Sequence, residues 1–133
     1  MKIAVLSDGA WGTALAMTLI DNGHEVVMYG PFPEYLAEMR EKHENVRFLP
    51  GVRLPDALEF EPDIARAVDG AELLVLATPT QYLRSVLATL KPHFHPEKHL
   101  LLDVAKGIEV DSWLLIHEMV EEVLGPCTGT CCP

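Results

Sequence analysis

The stretch KIAVLSDGAWGTALA, residues 2–16, decides the fold of this chain. Residues 2–6 form a short aliphatic run with β-branched members, which predicts a strand. The small and polar residues 7–9 predict a tight turn, and Trp11 and Leu15 then recur at helical spacing. Asn22-Gly23 ends this pattern with residues suited to a left-handed helix C-cap. The stretch therefore predicts a strand, a tight turn and a helix.

The turn carries most of a glycine pattern that binds dinucleotides. In the pattern GxGxxG, the glycines allow a tight turn, close approach of the backbone to a pyrophosphate, and close packing of helix on strand. Gly9 and Gly12 occupy the second and third glycine positions, and Ser7 occupies the first. Asp8 opposes phosphate binding, because a carboxylate about 4 Å from a phosphate costs on the order of 4 kcal/mol at an effective dielectric of 20. We expect Asp8 either to point away from the phosphates or to weaken cofactor binding.

The rest of the chain alternates between strand and helix patterns, which predicts βαβ units and a parallel sheet. Further strands are predicted at residues 24–29, 58–60, 73–77 and 99–104, and further helices at 33–44, 62–68, 79–91 and 111–124. We expect Pro62 to be the first residue of its helix, Thr78 and Gln81 to form a capping box, and Asp111 to cap the last helix. The predicted fold class is α/β, a doubly wound parallel sheet of Rossmann type with five strands and about five helices. A doubly wound domain of flavodoxin or receiver type is the alternative.

Length and composition restrict the possible functions. With 133 residues, the chain has room for one ordinary domain. A net charge of −10 opposes binding to nucleic acids and to anionic membranes, and the chain shows neither a membrane-spanning run nor a secretory signal, so we expect a cytoplasmic protein. We expect a dinucleotide-binding domain over residues 1–125 and an irregular tail over 126–133 that holds all three cysteines. The scattered histidines predict no metal site.

Four segments together resemble one enzyme family. The chain is similar to the N-terminal, cofactor-binding domain of NAD(P)-dependent glycerol-3-phosphate dehydrogenases. The resemblance covers most of residues 1–125, and the Trp-Gly-Thr-Ala and Lys-Gly-Ile-Glu motifs are its most specific parts. The segments are Gly9 to Ala16, Asn22 to Val26, Asn45 to Gly51, and Ala105 to Glu109.

The resemblance implies a function and a set of binding residues. It implies hydride transfer between NAD(P)H and dihydroxyacetone phosphate, giving sn-glycerol 3-phosphate for phospholipid synthesis. The implied cofactor is NAD or NADP, and the implied partner is a small phosphorylated substrate, with a homo-oligomer also possible. Lys106 would contact both the cofactor and the substrate phosphate. The implied cofactor-binding residues are Gly9, Ala10, Trp11, Gly12, Phe48 and Lys106.

The chain departs from the family pattern in three places. Ser7 and Asp8 stand where the family usually has Gly-Ala, and Pro31 stands where it often has an Arg near the adenosine ribose. Residues 29–32 contain neither a carboxylate nor an Arg, so the sequence does not choose between NAD and NADP. The family continues into a helical domain that holds the proton-accepting Lys, so we expect no catalytic residue in this chain and no turnover by the chain alone.

Two other functions stay open at this point. One is a non-catalytic nucleotide-binding or interaction module, favoured by Asp8 in the phosphate loop. The other is a different reductase of the same broad superfamily that acts on a hydroxy acid or an acyl ester. That function would leave the Lys-Gly-Ile-Glu turn unexplained.

Overall fold

The computed structural model describes residues 1–127 and 129–131, which form an α/β domain around a parallel sheet. Six strands occur in these residues, in the order β3-β2-β1-β4-β5-β6 across the sheet. Every described strand pair is parallel. This is the strand order of a Rossmann fold, which confirms the predicted fold class. The strands are β1 (Lys2–Leu6), β2 (Glu25–Tyr29), β3 (Glu59–Glu61), β4 (Leu73–Leu76), β5 (Leu100–Asp103) and β6 (Gly129–Cys131).

Helices cover both faces of the sheet. They are α1 (Ala10–Asp21), α2 (Pro33–Lys42), α3 (Ile64–Val68), α4 (Thr80–Leu90) and α5 (Ile116–Leu124). Alternate residues of each strand face opposite helix layers because successive side chains of a strand point to opposite faces. Ile3 and Val5 pack in the core beneath α1 and α2. Ala4 and Leu6 pack in the core beneath α3, α4 and α5.

Two of the predicted helix starts are wrong. α3 begins at Ile64, because Asp63 is its N-cap and its carboxylate accepts a hydrogen bond from the Ala65 amide at 2.9 Å. Pro62 therefore lies outside the helix. Thr78 forms no capping box, because its hydroxyl donates to the main-chain oxygen of Leu6. That hydrogen bond joins the ends of β1 and β4.

The predicted cap of the last helix is also wrong. Asp111 has a positive φ of 76°, and α5 begins five residues later at Ile116. The carboxylate of Glu118 accepts a hydrogen bond from the Leu115 amide at 2.8 Å and so satisfies the start of the helix. Residues 107–115 instead form a loop closed by an antiparallel bridge between Ile108 and Leu115.

The predicted irregular tail contains a sixth strand. Residues 129–131 pair with Leu101–Asp103 of β5, so the sheet does not end at β5 as predicted. The sequence did not predict this strand because the residues Gly-Thr-Cys show no apolar pattern. The pairing depends on backbone hydrogen bonds, which any of these residues can form. Cys127 lies half-buried against the core under α4 and α5 rather than in an unstructured tail. Cys132 lies outside the described residues.

Within the described residues, no helix is both long enough and apolar enough to cross a lipid bilayer.

Candidate functional site

The candidate site lies along the edge of the sheet where the parallel strands end. The strand order reverses between β1 and β4, which is where ligands bind in open α/β sheets, outside the carboxyl ends of the strands. The turn after β1 leads directly into α1 at this point. Thr78, which follows β4, and Lys106, which follows β5, lie on loops at the same edge.

The first amides of α1 are not bonded within their own helix. The N-cap residue of α1 is Gly9, no side chain caps the helix, and no acidic residue lies in its first turn. The first amide bonded within the helix is that of Thr13, which donates to the Gly9 carbonyl at 3.0 Å. The amides of Ala10, Trp11 and Gly12 precede it. Free amides and the positive end of the helix dipole favour a bound anion.

The two glycines in this turn have different roles. A Cβ atom on Gly12 would lie 2.9 Å from Ser7 Cβ and 3.1 Å from the Ser7 carbonyl oxygen. Gly12 is therefore required for α1 to pack closely on the end of β1. Gly9 would tolerate a Cβ better, because its nearest neighbour would be the Ser7 hydroxyl at 3.3 Å. Ser7 is buried, and its hydroxyl accepts a hydrogen bond from the Gly9 amide at 3.1 Å.

The carboxylate of Asp8 lies beside the end of β2. A Cβ atom on Gly30 would come within 2.8 Å of Asp8 Oδ2, so the carboxylate occupies the space next to Gly30. Burial raises the pKa of Asp8, and a hydrogen bond from its own main chain and the positive charge of Arg47 oppose that shift. The side chain of Asp8 is thus turned toward Gly30, at the end of the adjacent strand β2.

Asn45 connects the turn after β1 to the loop that carries Phe48. It is fully buried, and its side-chain amide donates to the Asp8 carbonyl oxygen at 2.8 Å and to the Thr13 hydroxyl at 2.9 Å. Its side-chain oxygen accepts hydrogen bonds from the Tyr35 hydroxyl and from the Phe48 amide. In the sequence, Asn45 is recognisable only as part of the segment Asn45 to Gly51. Its role has no sequence signal of its own because all but one of these partners lie ten or more residues away.

Two aromatic side chains are exposed at this site. Trp11, in the first turn of α1, is 53% exposed, and Phe48 is 51% exposed. The Phe48 ring also packs edge-on against Tyr35, with 6.2 Å between the ring centroids. Phe48 is therefore anchored on one side and open to solvent on the other.

Lys106 lies on a loop that is held at several points. The Thr80 hydroxyl donates to the Lys106 carbonyl oxygen at 2.6 Å. Three residues later, Glu109 accepts two hydrogen bonds from the Arg84 guanidinium, at 2.7 and 2.8 Å. Arg84 lowers the pKa of Glu109 to about 2, with help from the Ser112 hydroxyl. The Lys106 side chain is exposed, so the loop fixes its backbone and leaves its ammonium group available to a ligand.

The residues present fit a dinucleotide. The uncapped amides of α1 suit a pyrophosphate, and the close approach at Gly12 gives the turn the tight shape that such binding needs. Asp8, the one residue that opposes phosphate binding, has its carboxylate beside Gly30. Gly9, Ala10, Trp11 and Gly12 lie together in one turn, while Phe48 is linked to that turn through Asn45.

Comparison with known sequences gives consistent results. Residues 2–132 match the family described as NAD-dependent glycerol-3-phosphate dehydrogenase N-terminus. The glycerol-3-phosphate dehydrogenase [NAD(P)+] of Geobacillus kaustophilus is 46% identical over 124 residues, which cover 93% of this chain and 36% of the relative. The enzyme of the same name from Chlorobium phaeobacteroides is 44% identical over 124 residues, with 93% and 37% covered. The chain thus spans a little over a third of the length of these relatives.

Solved structures show the same relationship. The crystal structure of glycerol-3-phosphate dehydrogenase from Coxiella burnetii superposes with a TM-score of 0.86 at 29% identity, over 95% of this chain and 38% of that chain. The glycerol-3-phosphate dehydrogenase of Plasmodium falciparum superposes with a TM-score of 0.81 at 30% identity, over 96% and 39%. With the strand order and the turn after β1, these matches show that the chain belongs to the N-terminal, NAD-binding family of glycerol-3-phosphate dehydrogenases.

Proposed function

We propose that this chain binds NAD(P)H across the carboxyl edge of its sheet, with the pyrophosphate at the N-terminus of α1. The observation that carries the proposal is the uncapped start of α1 at the point where the strand order reverses. Residues 1–125 form the dinucleotide-binding domain in this proposal. Its cofactor contacts are Gly9, Ala10, Trp11, Gly12, Phe48 and Lys106.

The reaction we propose for the enzyme is the interconversion of dihydroxyacetone phosphate and sn-glycerol 3-phosphate. The relatives carry the name of this activity. The nicotinamide, when bound, supplies or accepts the hydride, and the protein binds and orients the reactants. The exposed ammonium group of Lys106 offers a cation for the substrate phosphate, on a backbone held by Thr80 and Glu109. We assign no catalytic residue in this chain, and we place the enzyme in the cytoplasm as a possible homo-oligomer.

A calorimetric titration with NADH and with NADPH tests the binding site. Ala10, the first residue of α1, is exposed, so it can be replaced without a packing defect. In Ala10→Asp, the new carboxylate would favour the helix through its dipole and oppose a pyrophosphate there. We expect Ala10→Asp to weaken cofactor binding by about 100-fold or more, since unit charges about 4 Å apart repel strongly even at an effective dielectric of 20.

Ala10→Asn is the matched control because it has nearly the same size and no charge. We expect it to bind cofactor within a few-fold of the wild type. Equal affinities for the Asp and Asn variants would contradict a pyrophosphate at α1, and a folded wild type that binds neither cofactor would contradict the proposal as a whole.

A further inference from the structure

The end of β2 lacks the acidic residue that is usual in NAD-binding domains of this fold. A carboxylate at that place accepts hydrogen bonds from the ribose hydroxyls of the adenosine. Here the strand ends in Tyr29-Gly30-Pro31-Phe32, with no carboxylate and no cation. Gly30 is buried and presents no side chain at this position.

The carboxylate of Asp8, in the turn after β1, lies in contact with this position. A Cβ atom built on Gly30 would lie 2.8 Å from Asp8 Oδ2 and 3.1 Å from Asp8 Cβ. The Asp8 carboxylate therefore lines the space that a side chain at position 30 would enter, together with Leu36, whose Cδ2 would lie 2.9 Å from the same Cβ atom. β1 and β2 are paired in register up to Leu6 and Tyr29, so the two strand ends lie side by side.

The Asp8 carboxylate is hydrogen-bonded to its own main chain, which lowers the pKa of Asp8, and this local contact leaves further lone pairs for a ligand. Among the described residues it forms no salt bridge, and the Asn45 amide donates to the main-chain oxygen of Asp8 rather than to its carboxylate. Arg47 acts on it through its charge, but that guanidinium is exposed and lies over the Tyr35 ring, 4.4 Å from its centroid. The hydroxyls of Tyr29 and Tyr35 are the other titratable groups that sense the Asp8 charge.

These positions favour one kind of ligand group. A half-buried carboxylate accepts charge-assisted hydrogen bonds from a vicinal diol, which supplies O–H donors. A phosphate on the same ribose would instead place two anions together at low effective dielectric. We propose that Asp8, reaching from the first turn to the end of β2, binds the adenosine ribose hydroxyls and makes this chain select NAD over NADP. The inference rests on the proposed cofactor site.

Calorimetric titrations of the wild type and of Asp8→Asn with NADH and with NADPH test this selectivity directly, because they give the affinity for each cofactor. We expect the wild type to bind NADH more tightly than NADPH by about tenfold or more, because the 2′-phosphate meets the carboxylate. Asp8→Asn removes the charge at constant size, and we expect it to bring the two affinities to within about threefold, mainly through tighter NADPH binding. The thermal melt of each variant establishes that it is folded.

Asp21→Asn is the control for net charge, since Asp21 is exposed at the far end of α1. We expect it to keep the wild-type ratio of affinities. A wild type that prefers NADPH, or an Asp8→Asn variant with an unchanged ratio, would overturn the assignment of Asp8 while leaving the cofactor site intact. Failure of the folded wild type to bind either cofactor would overturn the proposed site and the assignment together.

Discussion

At the scale of single residues, the buried amide of Asn45 holds the candidate site together. Its four hydrogen bonds reach the turn after β1, α1, α2 and the Phe48 loop. All donor and acceptor positions of the side chain are in use, and among the described residues no buried side-chain polar atom lacks a partner. Buried polar groups that lose their partners cost about 1–3 kcal/mol each.

We expect Asn45→Ala to lower the free energy of unfolding by about 2–4 kcal/mol, since it leaves several buried groups unpaired and opens a cavity. Urea denaturation of the variant and the wild type measures the difference. Asn22→Ala is a suitable control, because Asn22 is exposed and donates only to the Thr18 carbonyl. A loss for Asn45→Ala no larger than that for Asn22→Ala would show that the network contributes little.

Gly12 gives a second prediction at this scale. Alanine is ordinarily favoured over glycine within a helix by about 1 kcal/mol. At Gly12 the new methyl group would meet Ser7 Cβ at 2.9 Å and the Ser7 carbonyl at 3.1 Å, and backbone atoms there cannot move aside easily. We expect Gly12→Ala to destabilise the domain by about 1–3 kcal/mol through this overpacking.

Gly9→Ala serves as the comparison in the same thermal or urea experiment. Its φ of −77° is open to alanine, and the nearest atom is a hydroxyl that can rotate. We expect a change of less than about 1 kcal/mol. Equal losses for the two variants would contradict a specific helix–strand contact at Gly12.

At the scale of elements, the loop that carries Lys106 depends on α4. Arg84 of α4 contacts Glu109 with two hydrogen bonds and also contacts Glu122 of α5 at 3.3 Å. The Glu of the Lys-Gly-Ile-Glu motif is therefore explained by structure, since it fixes the loop that presents Lys106. The family resemblance indicated Lys106 as a ligand contact, but the sequence contained no information on what holds the loop.

The Glu109–Arg84 contact predicts a pH dependence of stability. The contact lowers the pKa of Glu109 from 4.5 to about 2, so the ionised form is favoured in the folded state. Its stabilising contribution is complete above the unfolded pKa and is lost as the pH falls through the folded pKa. We expect Glu109→Gln to be less stable than the wild type at pH 7, with a difference that begins to narrow below about pH 4.5 and closes toward pH 2.

Urea denaturation at pH 7, 5, 4 and 3 measures this difference. Glu97→Gln is a matched control, because Glu97 is exposed and its contact with the His95 ring nitrogen is long, at 3.9 Å. A stability difference for Glu109→Gln that stays constant down to pH 3 would contradict the assigned ion pair.

At the scale of the whole molecule, apolar side chains are exposed on the loop between β5 and α5. Val110 is 74% exposed and Trp113 is 79% exposed, with Ile108 and Leu115 also exposed in the same loop. Contiguous exposed apolar surface commonly marks an interface. This loop therefore supplies apolar residues for an interface with another molecule.

We expect the purified chain to self-associate as its concentration rises, because association removes these side chains from water. Sedimentation velocity across a range of concentrations measures the effect, and the double variant Val110→Ser, Trp113→Ser should remain monomeric over more of that range. Phe32→Ser, on an exposed aromatic residue before α2, is the control and should behave like the wild type. A wild-type chain that is monomeric at every concentration would contradict this role for the loop.

The sequence alone determined the order of elements, the turn at Gly9 and Gly12, and the family, because apolar periodicity and turn residues act over a few neighbouring positions. The sequence-based predictions were wrong where a residue bonds to a partner far away in the chain, because such a partner is not visible in a local pattern. The Thr78 hydroxyl binds Leu6, 72 residues away, in place of the predicted cap. β6 forms because β5 offers it a backbone ladder.

The tertiary structure alone decided the contacts at the end of β2 and around the turn after β1. Asp8 reaches Gly30 across two paired strands, and Asn45 reaches the Asp8 carbonyl across 37 residues. Such contacts depend on how the strands are ordered and in register, and many different sequences share that ordering. The sequence therefore identifies the groups that can bind a cofactor, while only the folded sheet shows which of these groups lie close together.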